Sequence, residues 1–217
     1  MASHIDRVAA ALAGALLALA GAPAGAQDAA RGEQLYGLCS QCHGERGEGN
    51  PDFLAPAIAG LERWYVQAQL EKFRSGLRGG HPDDVGGLRM RPMSLWLGRP
   101  EDLQAVAGYV AGLAPADPQP TVQGDPGRGA QHYTLCVACH LPDGKGNEAL
   151  SAPSLVHTSD WYLVTQLHNY KAGIRGSRPD DATGALMRPM AMTLADEQAM
   201  KDVVAYIMTL RQPGQGG

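Results

Sequence analysis

Two five-residue stretches decide the reading: Cys39-Ser40-Gln41-Cys42-His43 and Cys136-Val137-Ala138-Cys139-His140. Cys136 lies 97 residues after Cys39, and that offset carries far beyond the motif. It superposes Pro56 on Pro153, Trp64-Tyr65 on Trp161-Tyr162, and Gly76-x-Arg78-Gly79 on Gly173-x-Arg175-Gly176. Pro82-Asp83-Asp84 meets Pro179-Asp180-Asp181, and Met90-Arg91-Pro92-Met93 meets Met187-Arg188-Pro189-Met190. From Arg31/Arg128 to Leu113/Leu210, 32 of the 83 pairs are identical without a gap, so the chain is a duplicated module.

The spacing of each motif has a chemical reason. Two thiols separated by two residues on a helical turn reach both vinyl groups of one haem, and the histidine that follows lies under the iron as its proximal ligand. Cys39, Cys42 and His43, and Cys136, Cys139 and His140, are therefore candidate attachment residues for two covalently bound haem c groups with their iron. Three other uses of the cysteines fit less well. A thioredoxin-like pair follows a strand and needs no histidine. A zinc site shared between the modules leaves both histidines over. A disulfide within Cys-x-x-Cys is redox-active rather than structural.

The distal ligand must come from elsewhere in the module. Thioether sulfur is soft and stabilises ferrous iron, and both modules offer Met-Arg-Pro-Met at one repeat position. Met90 and Met187 are the chosen iron ligands, on a loop stiffened by the proline, ahead of Met93 and Met190 and of Met192. Methionines that merely fill core gaps are the competing reading. His81, His132, His157 and His168 have no histidine counterpart in the other module and read as surface residues. The carbonyls near Pro56 and Pro153 are candidates to accept the proximal histidine's Nδ1 proton, with a plain loop proline as the alternative. Arg78 and Arg175 are candidates to pair with haem propionates, with solvated arginine as the alternative.

Around these sites the sequence reads as helices joined by long Gly- and Pro-rich loops. Helices are expected over Arg31–Cys39 and Arg128–Cys136, Trp64–Ser75 and Trp161–Ala172, and Glu101–Leu113 and Asp196–Leu210, with no alternating pattern to suggest a sheet. Arg7, an apolar run from Val8 to Ala22 and Ala24-Gly25-Ala26 read as a signal peptide, residues 1–26, cleaved after Ala26. That implies export to the periplasm, with a retained anchor as the alternative. Domain 1 then covers 27–114, a proline-dense linker 115–127, and domain 2 128–217, ending in a frayed Pro213–Gly217 tail. A net charge of −4 with acids and bases interspersed gives no basic face for nucleic acid.

Taken in order, Gly-x-x-x-Tyr-x-x-Cys-x-x-Cys-His, Gly-x-Gly-Asn, Pro, Trp-Tyr with Gln-Leu, Gly-x-Arg, Met-x-Pro-Met and a last helix with Tyr resemble the cytochrome c4 family. The resemblance runs from about Arg31 to Leu210. It implies an all-α chain of two tandem class I cytochrome c domains, with two His/Met haems facing each other across the domain interface. It also implies an electron carrier rather than an enzyme, with redox-protein partners, a terminal oxidase or reductase among them, some of them membrane-bound, and no small-molecule substrate. One alternative is the haem electron-acceptor subunit of a dehydrogenase complex, as in flavocytochromes. A dihaem peroxidase fits less well, since it needs an open distal side and a much longer chain. The first module departs from the family where Arg99-Pro100-Glu101 replaces the usual Leu-Ser-Asp helix cap, which Leu194-Ala195-Asp196 approaches in the second.

Overall fold

The computed structural model describes residues 24–211, so the apolar leader run and the Pro213–Gly217 tail lie outside it. The first module contains α1 (Ala24–His43), α2 (Arg63–Ser75), α3 (Val85–Trp96) and α4 (Pro100–Gly112). The second contains α5 (Pro126–Tyr133), α6 (Val137–His140), α7 (Asp160–Lys171), α8 (Ala182–Met192) and α9 (Glu197–Thr209). Among the described residues the only β pairing is a single bridge per module, Asn50 with Ala55 and Asn147 with Ala152. No described helix is long and apolar enough to cross a membrane.

Each module is held by its first helix crossing its last. At the crossings the backbones touch. A Cβ on Gly32 would lie 2.3 Å from the Ala105 carbonyl oxygen, and one on Gly129 would lie 1.9 Å from that of Asp202. Aromatic pairs close the contact one turn on, with Tyr36 and Tyr109 ring centres 5.1 Å apart and Tyr133 and Tyr206 5.3 Å apart. Leu35, Leu103, Val106 and Val110 form the first core, and Val156, Met200, Val203, Val204 and Ile207 the second. Their spacing along the last helices, three or four residues, puts them on the face turned inward.

A buried carboxylate clamps each crossing. Asp102 accepts from Arg31 at 2.9 Å and Arg99 at 2.8 Å, while Asp202 accepts from Arg128 at 2.6 Å and Gln198 at 2.9 Å. Hydrogen bonds from Arg99 and Arg31, and from Arg128, hold these carboxyls well below the ordinary aspartate range. A depressed native pKa gives stability that is present above the unfolded value, about 3.9, and is lost as pH falls below it. The melting temperature is therefore expected to be flat near neutrality and to drop below about pH 4. Asp102→Asn with Asp202→Asn should lower the plateau and shrink that drop, as read by circular dichroism.

The last helices start differently. Asp196 caps α9 by accepting from the Ala199 N–H, whereas Arg99 precedes α4 without a side-chain cap and Pro100 opens the helix. The Arg-Pro-Glu departure thus moves the capping task to proline's fixed φ and to the Arg99–Asp102 pair. The linker is extended, as its prolines require, but it is stitched down. Ala116 N–H donates to the Ala59 carbonyl at 3.3 Å, and Thr121 and Val122 N–H donate to Asp160 at 2.5 and 2.6 Å.

The modules dock through α2 and α7. Arg78 donates to Gln69 of its own module at 3.0 Å and across the interface to Gln166 at 3.2 Å and Tyr162 at 3.1 Å. Arg175 mirrors it, donating to Gln166 at 2.8 Å and across to Gln69 at 2.9 Å. Lys72 adds an ion pair to Asp181 at 2.6 Å and a hydrogen bond to Thr183. Its repeat equivalent is Asn169, so this contact is made on one side only.

Candidate haem sites

One mostly apolar cavity of about 490 Å³ runs through the interface and joins both modules. Cys39, His43 and Met90 line it from one side, and Cys136, His140 and Met187 from the other. Helix α1 carries the first motif to its C-terminus, and the short α6 carries the second. The geometry of the two histidines is the same. Buried His43 has Nδ1 2.8 Å from the Pro56 carbonyl oxygen, and buried His140 has Nδ1 2.9 Å from that of Pro153. Burial lowers both imidazole pKa values, against the pull of those carbonyls, so the rings are neutral. With Nδ1–H donated to a carbonyl, Nε2 is left as the free lone pair. Tyr36 and Tyr133 brace the same corner, each donating to the carbonyl of the residue after its histidine, Gly44 and Leu141, at 2.8 Å.

No disulfide joins the four cysteines. Burial pushes Cys39 up to about 11 and also raises Cys136. An activated thioredoxin-type thiolate needs the opposite shift. Among the described residues no three His, Cys, Asp or Glu side chains come together as metal ligands, so a shared zinc site has no geometric basis.

Arg78 and Arg175 are not solvated. Each is only 4 % exposed, each lines the cavity, and each stacks on a ring of its own module, Phe73 or Tyr170. Neither is paired with a carboxylate among the described residues, and the buried Nε of each has no hydrogen-bond partner. Two guanidinium charges buried side by side are costly without an anion. An apolar cleft with the first thiol of each motif and a histidine on one wall, a thioether on another and cationic donors without a carboxylate inside fits a haem, whose body is apolar and whose propionates are anionic.

Two expectations need correction. Met-Arg-Pro-Met does not lie on a loop: Pro92 and Pro189 sit inside α3 and α8, and the methionines project from those helices. Met90 and Met187 are half-buried on the cavity wall, whereas Met93 is 40 % exposed; Met190 reaches the wall but is 41 % exposed, and Met192 is 58 % exposed. The second correction concerns the histidines. His81 and His168 are exposed, but His132 is half-buried on the cavity wall, and His157 is half-buried with its pKa lowered by burial.

Sequence reasoning passed over Asp84 and Asp181. These buried carboxylates cap the methionine helices, accepting from Gly87 N–H at 3.0 Å and Gly184 N–H at 3.1 Å. The signal was present, since Pro-Asp-Asp recurs immediately before each methionine helix. The Gln69, Gln166 and Tyr162 contacts were also unread, although Trp-Tyr and Gln recur with the repeat.

The cytochrome c domain family matches residues 29–114 and 127–211. The chain is 30 % identical over 200 residues to cytochrome c4 of Azotobacter vinelandii, covering 87 % of this chain and 90 % of that one. It is 30 % identical over 180 residues to a thiosulfate dehydrogenase electron acceptor of Stutzerimonas stutzeri (strain A1501), covering 78 % of each. The crystal structure of reduced cytochrome c4 from Pseudomonas stutzeri superposes with a TM-score of 0.66 at 27 % identity, over 84 % of this chain and 98 % of that chain. With two tandem cytochrome c domains, two covalently bound haem c groups and the work of an electron carrier, the chain belongs to the cytochrome c4 family.

Proposed function

We propose that His43 with Met90, and His140 with Met187, hold the two irons, and that Cys39 with Cys42, and Cys136 with Cys139, are the thioether attachment points. The observation that carries this reading is the cavity that brings Cys39, His43 and Met90 together with Cys136, His140 and Met187 across the interface, while Cys42 and Cys139 are exposed outside its wall. When bound, each haem supplies a one-electron ferric/ferrous couple, with a potential set by its ligands and surroundings. The chain's residues do the rest. Pro56 and Pro153 carbonyls fix the tautomer that presents Nε2. Arg78 and Arg175 neutralise propionate charge inside the interface, and the apolar walls exclude water. With both sites opening into one cavity, an electron passes between modules without a diffusional step, and the chain holds two electrons at once.

The domains follow the boundaries 27–114, 115–127 and 128–217, and the chain works in the periplasm after removal of residues 1–26. Its partners are redox proteins, with delivery to a terminal oxidase as the first reading. The similarity to a thiosulfate dehydrogenase electron acceptor supports a second, in which a dehydrogenase loads the chain. Pull-down from native periplasm separates them: an oxidase partner supports the first, and a co-purifying dehydrogenase supports the second.

The ligand assignment is tested by the weak far-red charge-transfer band of Met-ligated ferric haem. Met90→Ala and Met187→Ala should each remove about half of that band, and Met93→Ala little of it. Loss of half the band in Met93→Ala but not in Met90→Ala would reverse the choice.

A further inference from the structure

Each module braces the proximal side of the other through two contacts that are equivalent in position and unequal in charge. Glu62 and Ser159 are 97 residues apart, and each is the N-cap residue of its module's central helix, α2 or α7. An N-cap side chain ordinarily accepts a hydrogen bond from the first turn of its own helix. Neither does so here. Ser159 Oγ instead accepts the buried Ala57 N–H at 3.0 Å, and Glu62 Oε1 accepts the Ser154 N–H at 2.8 Å.

Ala57 and Ser154 directly follow Pro56 and Pro153. The N–H that crosses the interface therefore belongs to the same peptide unit whose carbonyl accepts the histidine Nδ1–H. That unit is conjugated, so an electron-rich acceptor at its N–H increases the electron density on its oxygen. Hydrogen bonds in such a chain strengthen one another, and an ionised acceptor is roughly twice as strong as a neutral one. The chain through His43 ends on a neutral hydroxyl. The chain through His140 ends on a carboxyl whose second oxygen is buried without a partner.

We propose that Glu62 is a cross-domain positioning residue: through the Pro153–Ser154 peptide it strengthens His140 as a donor to iron, lowers the reduction potential of the second module's haem and biases a single electron toward the first. This rests on the assignment of His43 and His140 as iron ligands. A stronger Nδ1–H···O bond makes the imidazole a more basic ligand, which favours ferric over ferrous iron. Arg63 on the same helix, and Lys145 and Glu148 on the facing loop, surround Glu62. Burial first, with Glu148 contributing, raises the Glu62 carboxyl above its ordinary value. Its charge is thus lost at a higher pH than that of an exposed glutamate, and the bias should fade as it is protonated.

The test uses the full-length dihaem protein, reduced with substoichiometric one-electron reductant, with each haem followed through its own paramagnetically shifted NMR resonances. Glu62→Gln keeps a hydrogen-bond acceptor and removes the charge. It should shift the partition of one electron toward the second module by about three- to tenfold, the upper end being about 59 mV, by raising the second haem's potential alone. The reciprocal Ser159→Asp should shift the partition in the same direction by lowering the first haem's potential alone. The pH dependence of the partition should be weaker in Glu62→Gln than in the native chain. A native His/Met spectrum in Glu62→Gln with the partition unchanged within about twofold would overturn the proposal and leave the ligand assignment standing. Loss of the ligand assignment would show separately, as a missing charge-transfer band in the unaltered protein.

Discussion

Gly129→Val is expected to abolish folding of the second module and to leave a chain with one native haem instead of two. At Gly129 the first helix of the module lies against the last with no room for a side chain. A Cβ there would meet the Asp202 carbonyl oxygen at 1.9 Å, its carbon at 2.6 Å and Tyr206 Cβ at 2.8 Å. Two of the three obstacles are backbone, so no rotamer change relieves the clash, and the helices have to separate. Separation would open the contact between Tyr133, Val203 and Val204 and break the Arg128–Asp202 clamp together. Overpacking alone costs about 1–3 kcal/mol. With a core and a buried pair lost as well, the total should exceed about 4 kcal/mol, beyond the margin of so small a module. Gly112→Ala is the control. Nothing lies within 4 Å of the added Cβ, and it ends a helix, so the change should be neutral or slightly stabilising. Haem content per chain and a circular-dichroism melt read both variants, and a Gly129→Val chain with two native haems would show that the close crossing is not what holds the module.

His140→Ala is expected to halve the electrons the protein stores at native potential, from two per chain to one, while the first module keeps its spectrum. The ring is buried, its Nδ1 is committed to the Pro153 carbonyl, and its Nε2 is the lone pair left for iron. Alanine removes that donor and leaves the Pro153 carbonyl without its partner. The thiols of Cys136 and Cys139 are untouched, so covalent attachment should persist while the second haem becomes high-spin and open to external ligands. Optical titration with carbon monoxide should show one ligand bound per reduced chain. Two native low-spin haems in this variant would refute His140 as an iron ligand.

Much of this was legible in the sequence because the chemistry is local. Cys39, Cys42 and His43 are neighbours on one helical turn, and a gapless repeat copies them to Cys136, Cys139 and His140. The last helices showed their apolar faces through Val106 and Val110, and Val203 and Ile207. What stayed hidden depends on partners far along the chain. A buried guanidinium is indistinguishable from a solvated one in a Gly-x-Arg turn, since the Gln166 and Tyr162 that Arg78 contacts come from the other module. Asp102 and Asp202 clamp equivalent arginines from non-equivalent positions, one helical turn apart in the repeat, so aligning the modules conceals them. The motif reads as a loop stiffened by its proline, a residue that ordinarily interrupts a helix. The helix persists through Pro92, with Asp84 capping its start. Nothing in the sequence marks Glu62 and Ser159, and only the docked modules show their side chains turned across the interface.

The central claim is that two haems share one interface and exchange an electron inside one chain. Its most direct test is rapid mixing of the fully oxidised protein with limiting one-electron reductant, following redistribution between the haems over a wide range of protein concentration. A first-order phase whose rate does not change with concentration is the predicted result, and it should vanish when separated fragments 27–116 and 117–217 are mixed. A redistribution rate that rises in proportion to protein concentration, and that the mixed fragments reproduce, would contradict the account.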